Sequence, residues 1–161
     1  MSVPDLDRLQ LSLETMLAGV DPKARRRLAQ AMARRVKTAN AARIRANVTP
    51  EGDAMVPRKR RIARPNRLGR PEPLAPEKKG RMFRKAATPR WLRVRADAGG
   101  AEIGYSGVGA RILRVHQDGG REQVGPQPDA PFANYPARPL IGLSPTDREQ
   151  LLEMVAIALG G

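Results

Sequence analysis

Hydrophobic positions near the N-terminus recur at the spacing of a helix. Leu6, Leu9, Leu13 and Met16 lie three or four residues apart, which predicts one apolar helix stripe over residues 5–19. Asp21 and Pro22 form a typical helix start, and we expect a second helix to run from there to about Asn47. The apolar positions of this second helix share one face, which carries Leu28, Met32, Val36 and Ala39.

The helical periodicity stops after Asn47. Residues 48–87 are rich in proline and in basic side chains and contain few apolar ones. Long stretches without regular structure tend either to serve a function or to become ordered only in an assembly. We therefore predict a long, basic, proline-rich arm or insertion over residues 48–87.

The C-terminal half shows two strand patterns and two helix patterns. Residues 91–96 alternate apolar and basic side chains, 97–100 are a turn signal and 101–106 are a return strand, which together predict a β-hairpin. Ile112, Leu113 and Val115 suit a short helix that Gly119 and Gly120 end. Residues 121–135 are polar and proline-rich, so we expect an exposed loop or a short edge strand. The last helix spans about 145–159, and its predicted buried face carries Leu151, Leu152, Val155 and Leu159.

The start of this last helix has a strong local signal. Ser144 can cap it, Pro145 suits its first position, and Asp147 has the capping-box spacing and favours the positive helix end. Just upstream, Pro136 and Pro139 stiffen the backbone around Arg138. We expect Arg138 to stand out from an extended arm that leads into a docked helix, which suits the positioning of a surface.

This order of elements predicts a single α+β domain over residues 1–161. It consists of N-terminal helices, the long basic arm, a β-hairpin or small antiparallel sheet, and a C-terminal helix packed on that sheet. The N-terminus has no secretory pattern, and no apolar run approaches the ~18 residues that span a bilayer. We therefore expect a cytoplasmic product without a membrane partner.

The net charge of +14 is distributed unevenly along the chain. Residues 23–95 hold 24 Lys and Arg against 4 Asp and Glu, whereas the remaining residues hold 6 against 12. This polarity indicates a macromolecular partner, either nucleic acid or an acidic protein surface, although a solubilising arm is an alternative. The densest part is a basic cluster, which consists of Arg58, Lys59, Arg60, Arg61, Arg64, Arg67, Arg70, Lys78 and Lys79.

The composition argues against catalysis. The chain has no cysteine and a single histidine, His116, so the ligands of a zinc site and of a His-paired triad are missing. No second titratable group lies at a motif spacing from His116, and the glycines near residue 107 do not match a nucleotide fingerprint. We therefore expect that the protein is not an enzyme and that it binds neither a metal ion nor a cofactor. The basic cluster lacks stacking aromatics, so nucleic-acid contact would be non-specific and through phosphates.

Three fragments carry a resemblance to a known family. KKGRMFRKAATPRWLRVRAD, AEIGYSGVGARILRVHQDGG and YPARPLIGLSPTDREQLLEMV follow one another in this order. Together with the helical N-terminus and the basic middle, they resemble the phage virion morphogenesis family over nearly the whole chain. The resemblance implies a structural protein of the virion tail or neck that is assembled in the host cytoplasm. It also implies action at the head-proximal end of a contractile tail, as a tail-terminator-like ring that is commonly hexameric.

The resemblance also suggests roles for individual residues. We expect a subunit or partner interface formed by Arg111, Arg114, His116, Tyr135, Pro136, Arg138 and Pro139. In it, Arg138 would contact a carboxylate or carbonyl near a subunit boundary, and Arg111, Arg114 and His116 would order the neighbouring loop.

The basic cluster would engage the tail tube, the sheath, a head–tail connector protein or DNA in the lumen. Two alternatives to a tail-completing ring stay open. One is a head-side morphogenesis or connector factor, and the other is a basic nucleic-acid-binding protein that uses residues 58–70.

Overall fold

The computed structural model describes residues 19–57, 82–107, 109–125 and 127–160. These residues form three helices and two two-stranded antiparallel sheets, which confirms the predicted α+β class. In chain order the elements are α1 Pro22–Ala46, β1 Leu92–Ala96, β2 Ala101–Tyr105, α2 Gly109–Asp118, β3 Gly120–Gln123, β4 Phe132–Tyr135 and α3 Pro145–Gly160. The helix predicted before Gly19 and the basic cluster lie outside the described residues.

Helix α1 begins and ends where its capping chemistry predicts. The Asp21 carboxylate accepts a hydrogen bond from the Ala24 amide at 3.1 Å, and Asn47 ends the helix in the left-handed conformation with φ 58°. On the predicted apolar face Val36 is buried, whereas Leu28, Met32 and Ala39 are half-buried. The face in contact with the rest of the fold is made of smaller side chains, which permit closer packing, and carries Ala29, Ala33, Val36, Asn40, Ala41 and Ile44.

The hairpin of β1 and β2 lies against α1. Its register pairs Leu92 with Tyr105 and Val94 with Ile103, as the alternating pattern predicts. The Asp97 carboxylate accepts hydrogen bonds from the amides of Gly99 and Gly100 at 2.8 and 3.0 Å, which closes the turn. The predicted hairpin and its turn are therefore confirmed.

The hydrophobic core joins α1, the hairpin, α2 and short segments on either side of residues 58–81. Its buried members are Ala41, Ile44, Met55, Phe83, Ala86, Ala87, Leu92, Leu113 and Leu140. Residues 48–57 form a turn closed by a bridge between Val48 and Ala54. Both described ends of the predicted arm are therefore held in the core.

The C-terminal part follows the prediction less closely. Helix α2 is confirmed, and Gly119 ends it with φ 74°. Residues 121–135, for which we expected an exposed loop or a short edge strand, form most of a second hairpin in which the short strands β3 and β4 pair. Helix α3 packs mainly against α1, whereas we expected it to lie on the sheet. Leu152, which was predicted to be buried, is 68% exposed.

Candidate interface site

The candidate site centres on residues 135–144, which we call the proline segment. Arg138 lies in it and is only 4% exposed. Its guanidinium donates to the backbone carbonyls of Val56 and Pro57 at 2.6 and 3.0 Å, and to His116 Nδ1 at 3.2 Å. Because a guanidinium can only donate, Nδ1 of His116 accepts and the ring proton of the neutral imidazole lies on Nε2.

His116 holds the same segment through its backbone and its ring. Its carbonyl accepts a hydrogen bond from the Arg138 amide at 2.6 Å. The imidazole also packs edge-on against Phe83 and Tyr135, with ring centroids 5.0 and 5.2 Å apart. The end of α2, the proline segment and the backbone immediately before Arg58 therefore meet at one buried arginine.

Two amide side chains hold the next part of the segment. Gln117 accepts from the amides of Leu140 and Ile141 at 2.7 and 2.9 Å, and donates to the Ile141 carbonyl at 3.0 Å. Asn40, fully buried on α1, accepts from the Gly142 amide at 3.1 Å. After its first residue the proline segment is extended but not part of a sheet, so these side chains provide hydrogen bonds that its backbone N–H and C=O groups need.

The segment ends in an ion pair. Arg43 lies 2.7 Å from the Asp147 carboxylate and donates to the Gly142 carbonyl at 3.1 Å. Ser144 and Asp147 form the predicted capping box, with hydrogen bonds of 2.9 and 3.1 Å. Burial by itself raises the pKa of Asp147, but the hydrogen bonds from Ser144 and the Arg43 guanidinium outweigh it. The net effect is a pKa below the ordinary value for a carboxyl.

This ion pair predicts acid sensitivity. Since the folded pKa of Asp147 is lowered, its contribution to stability is complete above the unfolded value of about 3.9 and is lost as the pH falls through the folded pKa. We expect Asp147→Asn to be less stable than the wild type at pH 7 and to lose less stability on acidification. Urea unfolding followed by circular dichroism at several pH values from 7 to 2 measures both effects. Asp129→Asn, at an exposed carboxylate, is the control, and parallel pH profiles for Asp147→Asn and the wild type would contradict the assignment.

The structure brings together part of the predicted interface set. His116, Tyr135, Pro136, Arg138 and Pro139 lie around the buried guanidinium, all of them buried or half-buried. The expectation that Arg138 stands out from the arm is corrected, because the carbonyls it contacts belong to its own chain. A role of the set at a subunit boundary stays a prediction.

The two other arginines of the set lie on the outer side of α2. Arg111 pairs with Glu122 of β3 and so joins α2 to the second hairpin. Arg114 is exposed. Both side chains face outward beside the buried cluster, and Arg111 contacts the second hairpin, whereas we expected it to order the loop next to Arg138.

Sequence reasoning missed three of the residues that hold the segment. Asn40 and Arg43 lie on α1, for which the sequence pattern singled out only the apolar positions, and Gln117 received no role from the sequence. The available signal was Asn40 itself, which lies one turn after Val36 and one turn before Ile44 on the buried side of α1. An amide at such a position usually has a backbone partner.

Comparison with known proteins decides the family. The profile of the phage virion morphogenesis family matches residues 5–160. The chain belongs to this family. The tail completion protein S of Escherichia phage P2 is 30% identical over 152 residues, which cover 94% of this chain and 95% of the relative. No solved structure matches the chain.

The family membership confirms the resemblance that the three fragments indicated. It makes the chain a component of the phage virion. Within the described residues, no helix is long and apolar enough to cross a membrane.

Proposed function

We propose that this chain completes a phage tail at its head-proximal end and prepares the tail for joining to the head. The observation that carries the proposal is the similarity to the phage P2 tail completion protein, which extends over 94% of this chain. The same similarity supports a structural role rather than an enzymatic one. The working form that we propose is a homo-oligomeric ring, with a hexamer as the expected size.

The site suits a protein that presents a fixed surface to partners. The proline segment is held by side chains of α1 and α2, so its outer residues have a defined position. Arg138 also fixes the backbone at Pro57, one residue before the basic cluster starts. In this proposal the interface set contacts the neighbouring subunit, and the basic cluster contacts the tail tube, the sheath or a connector protein.

Genetic complementation tests the proposal. A phage or prophage in which the gene is disrupted should produce separate heads and tails, and a plasmid copy should restore infectious particles. Electron microscopy of the lysates distinguishes unjoined from joined particles. Normal infectivity without the gene, or a lysate without tails, would contradict action at tail completion.

The basic cluster provides a specific prediction. Reversal of Arg58, Lys59, Arg60 and Arg61 to glutamate should lower the yield of infectious particles by about a hundredfold or more, since it repels an acidic partner instead of attracting it. The matched control replaces the three arginines with lysine and so keeps the charge. Wild-type titres from the reversed variant would argue against this role of the cluster.

One observation favours a second candidate function, which is nucleic-acid binding. Helix α1 carries nine Lys and Arg and no Asp or Glu over its 25 residues, and such a helix suits contact with nucleic acid. Electrophoretic shift of duplex DNA at several salt concentrations tests this. Affinity that falls steeply with salt, for a protein that forms no rings, would favour DNA binding over the tail role.

A further inference from the structure

Helix α3 leaves one face of mixed character exposed. Asp147 and Gln150 point toward α1, where Gln150 accepts a hydrogen bond from Arg35 at 2.9 Å. The opposite side, which we call the outer face of α3, consists of Glu149, Leu152, Glu153, Ala156 and Ile157. Leu152 and Ile157 are each 68% exposed. Large exposed apolar side chains beside two carboxylates on an ordered helix are typical of a protein–protein contact.

Helix α1 offers a face of the opposite character. Its outer face, which lies away from the core, consists of Arg27, Ala31, Arg34 and Thr38, all exposed. On this face the small side chain of Ala31 lies between the two arginines, so another helix can approach closely between the guanidinium groups. No carboxylate of α1 itself neutralises these arginines, because the helix contains none.

We propose that the outer face of α3 in one copy of this chain packs against the outer face of α1 in the next copy. Leu152 and Ile157 then fill the space over Ala31 and Thr38, and the two glutamates meet the two arginines. In this proposal the contact is head-to-tail and repeats from copy to copy, and the rotation from one copy to the next closes it into a ring.

The inference rests on the ring assembly of the proposed function and names the surfaces that form it. The exposed leucine and isoleucine favour a protein partner for α3 over a nucleic acid. The small side chains of Ala31 and Thr38 on α1 leave space for a partner helix to pack against this face.

Charge reversal in two variants tests the contact. Arg27→Glu with Arg34→Glu reverses the α1 face, and Glu149→Lys with Glu153→Lys reverses the α3 face. Each variant alone should need about a tenfold or higher protein concentration to assemble, since like charges then face each other. An equimolar mixture of the two should assemble at wild-type concentration, because every α1–α3 contact in an alternating ring again joins opposite charges. Native mass spectrometry detects both the loss and the rescue.

Matched controls separate assembly from folding. Arg27→Lys with Arg34→Lys, and Glu149→Asp with Glu153→Asp, keep the charges and should assemble like the wild type. Circular dichroism should show the same helix content for all four variants. Folded reversal variants that assemble normally, or whose mixture shows no rescue, would overturn the inference.

Two further outcomes separate this inference from its alternatives. Loss of DNA binding in the α1 variant with unchanged assembly would assign that face to nucleic acid and overturn the contact. A wild-type protein that stays monomeric would overturn the contact too. In that case the complementation experiment still decides the role in tail completion, because its readout is joined particles and not oligomer mass.

Discussion

Replacement of Arg138 with alanine should lower the free energy of unfolding by about 3 kcal/mol or more. Arg138 is 4% exposed, and within the described residues its guanidinium bonds to His116 and to two backbone carbonyls about 80 residues upstream. Its removal leaves the carbonyls of Val56 and Pro57 without a donor and leaves a void beside His116. Because these contacts join three separate segments, the loss affects the core and not only the surface.

The measurement for Arg138 combines stability and assembly. Urea unfolding gives the stability loss, and Arg138→Lys is the matched control. It keeps the charge but lacks the planar fork that reaches both carbonyls, so we expect an intermediate stability. Native mass spectrometry of the same variants shows whether they still assemble at the predicted subunit boundary. If Arg138→Ala assembles as readily as the wild type, the interface role of this region is contradicted. If Arg138→Ala has the same free energy of unfolding as the wild type, the stabilising role of the buried Arg138 guanidinium is contradicted.

The parts of the fold that the sequence predicted correctly are those decided by neighbours in the chain. The capping box of Ser144 and Asp147 and the turn at Asp97 depend on side chains within three residues of the bond they make. The helix end at Asn47 depends on the left-handed backbone conformation that asparagine tolerates. The prediction of the β1–β2 hairpin required only the alternation of apolar and polar side chains over a few neighbouring residues. For such features the local pattern contains the physical cause.

The direction of Arg138 could not be predicted in this way. Two prolines fix their own φ angles and restrict the residues before them, but they do not determine which side of the segment faces the core. That choice depends on carbonyls at residues 56 and 57, which are close to Arg138 only after α1 and the hairpin have packed. Asn40 and Gln117 share this property, since their partners at residues 140–142 are 23 to 102 positions away.

The packing of α3 was unpredictable for a different reason. From Met154 onward it is apolar on every side, so periodicity cannot select a buried face there. Leu152 and Leu151 are equivalent as sequence signals, yet Leu151 is half-buried and Leu152 is exposed. The sequence left a loop and a short edge strand open for residues 121–135, because β3 and β4 are mostly polar or small and show little alternation of apolar side chains.

Replacement of Asn40 with alanine is expected to cost about 2 to 3 kcal/mol of unfolding free energy. Asn40 is fully buried, and its side-chain oxygen accepts from both the Gly142 amide and the Arg43 guanidinium. Alanine removes this acceptor, so the Gly142 amide loses its partner and Arg43 keeps only part of its contacts. The proline segment should then detach locally from α1, which hydrogen exchange at residues 140–143 would detect.

Asn40→Asp separates the acceptor role from simple occupation of space. Aspartate keeps an oxygen for Gly142 and Arg43 and loses the donor to the Val36 carbonyl. Val36 is a residue of the same helix four positions earlier, so its carbonyl already lies within the helix hydrogen-bond pattern. The aspartate variant should therefore retain slow exchange in the segment even where its total stability falls. If Asn40→Ala exchanges as slowly as the wild type and unfolds within about 0.5 kcal/mol of it, α1 does not hold the segment through this amide.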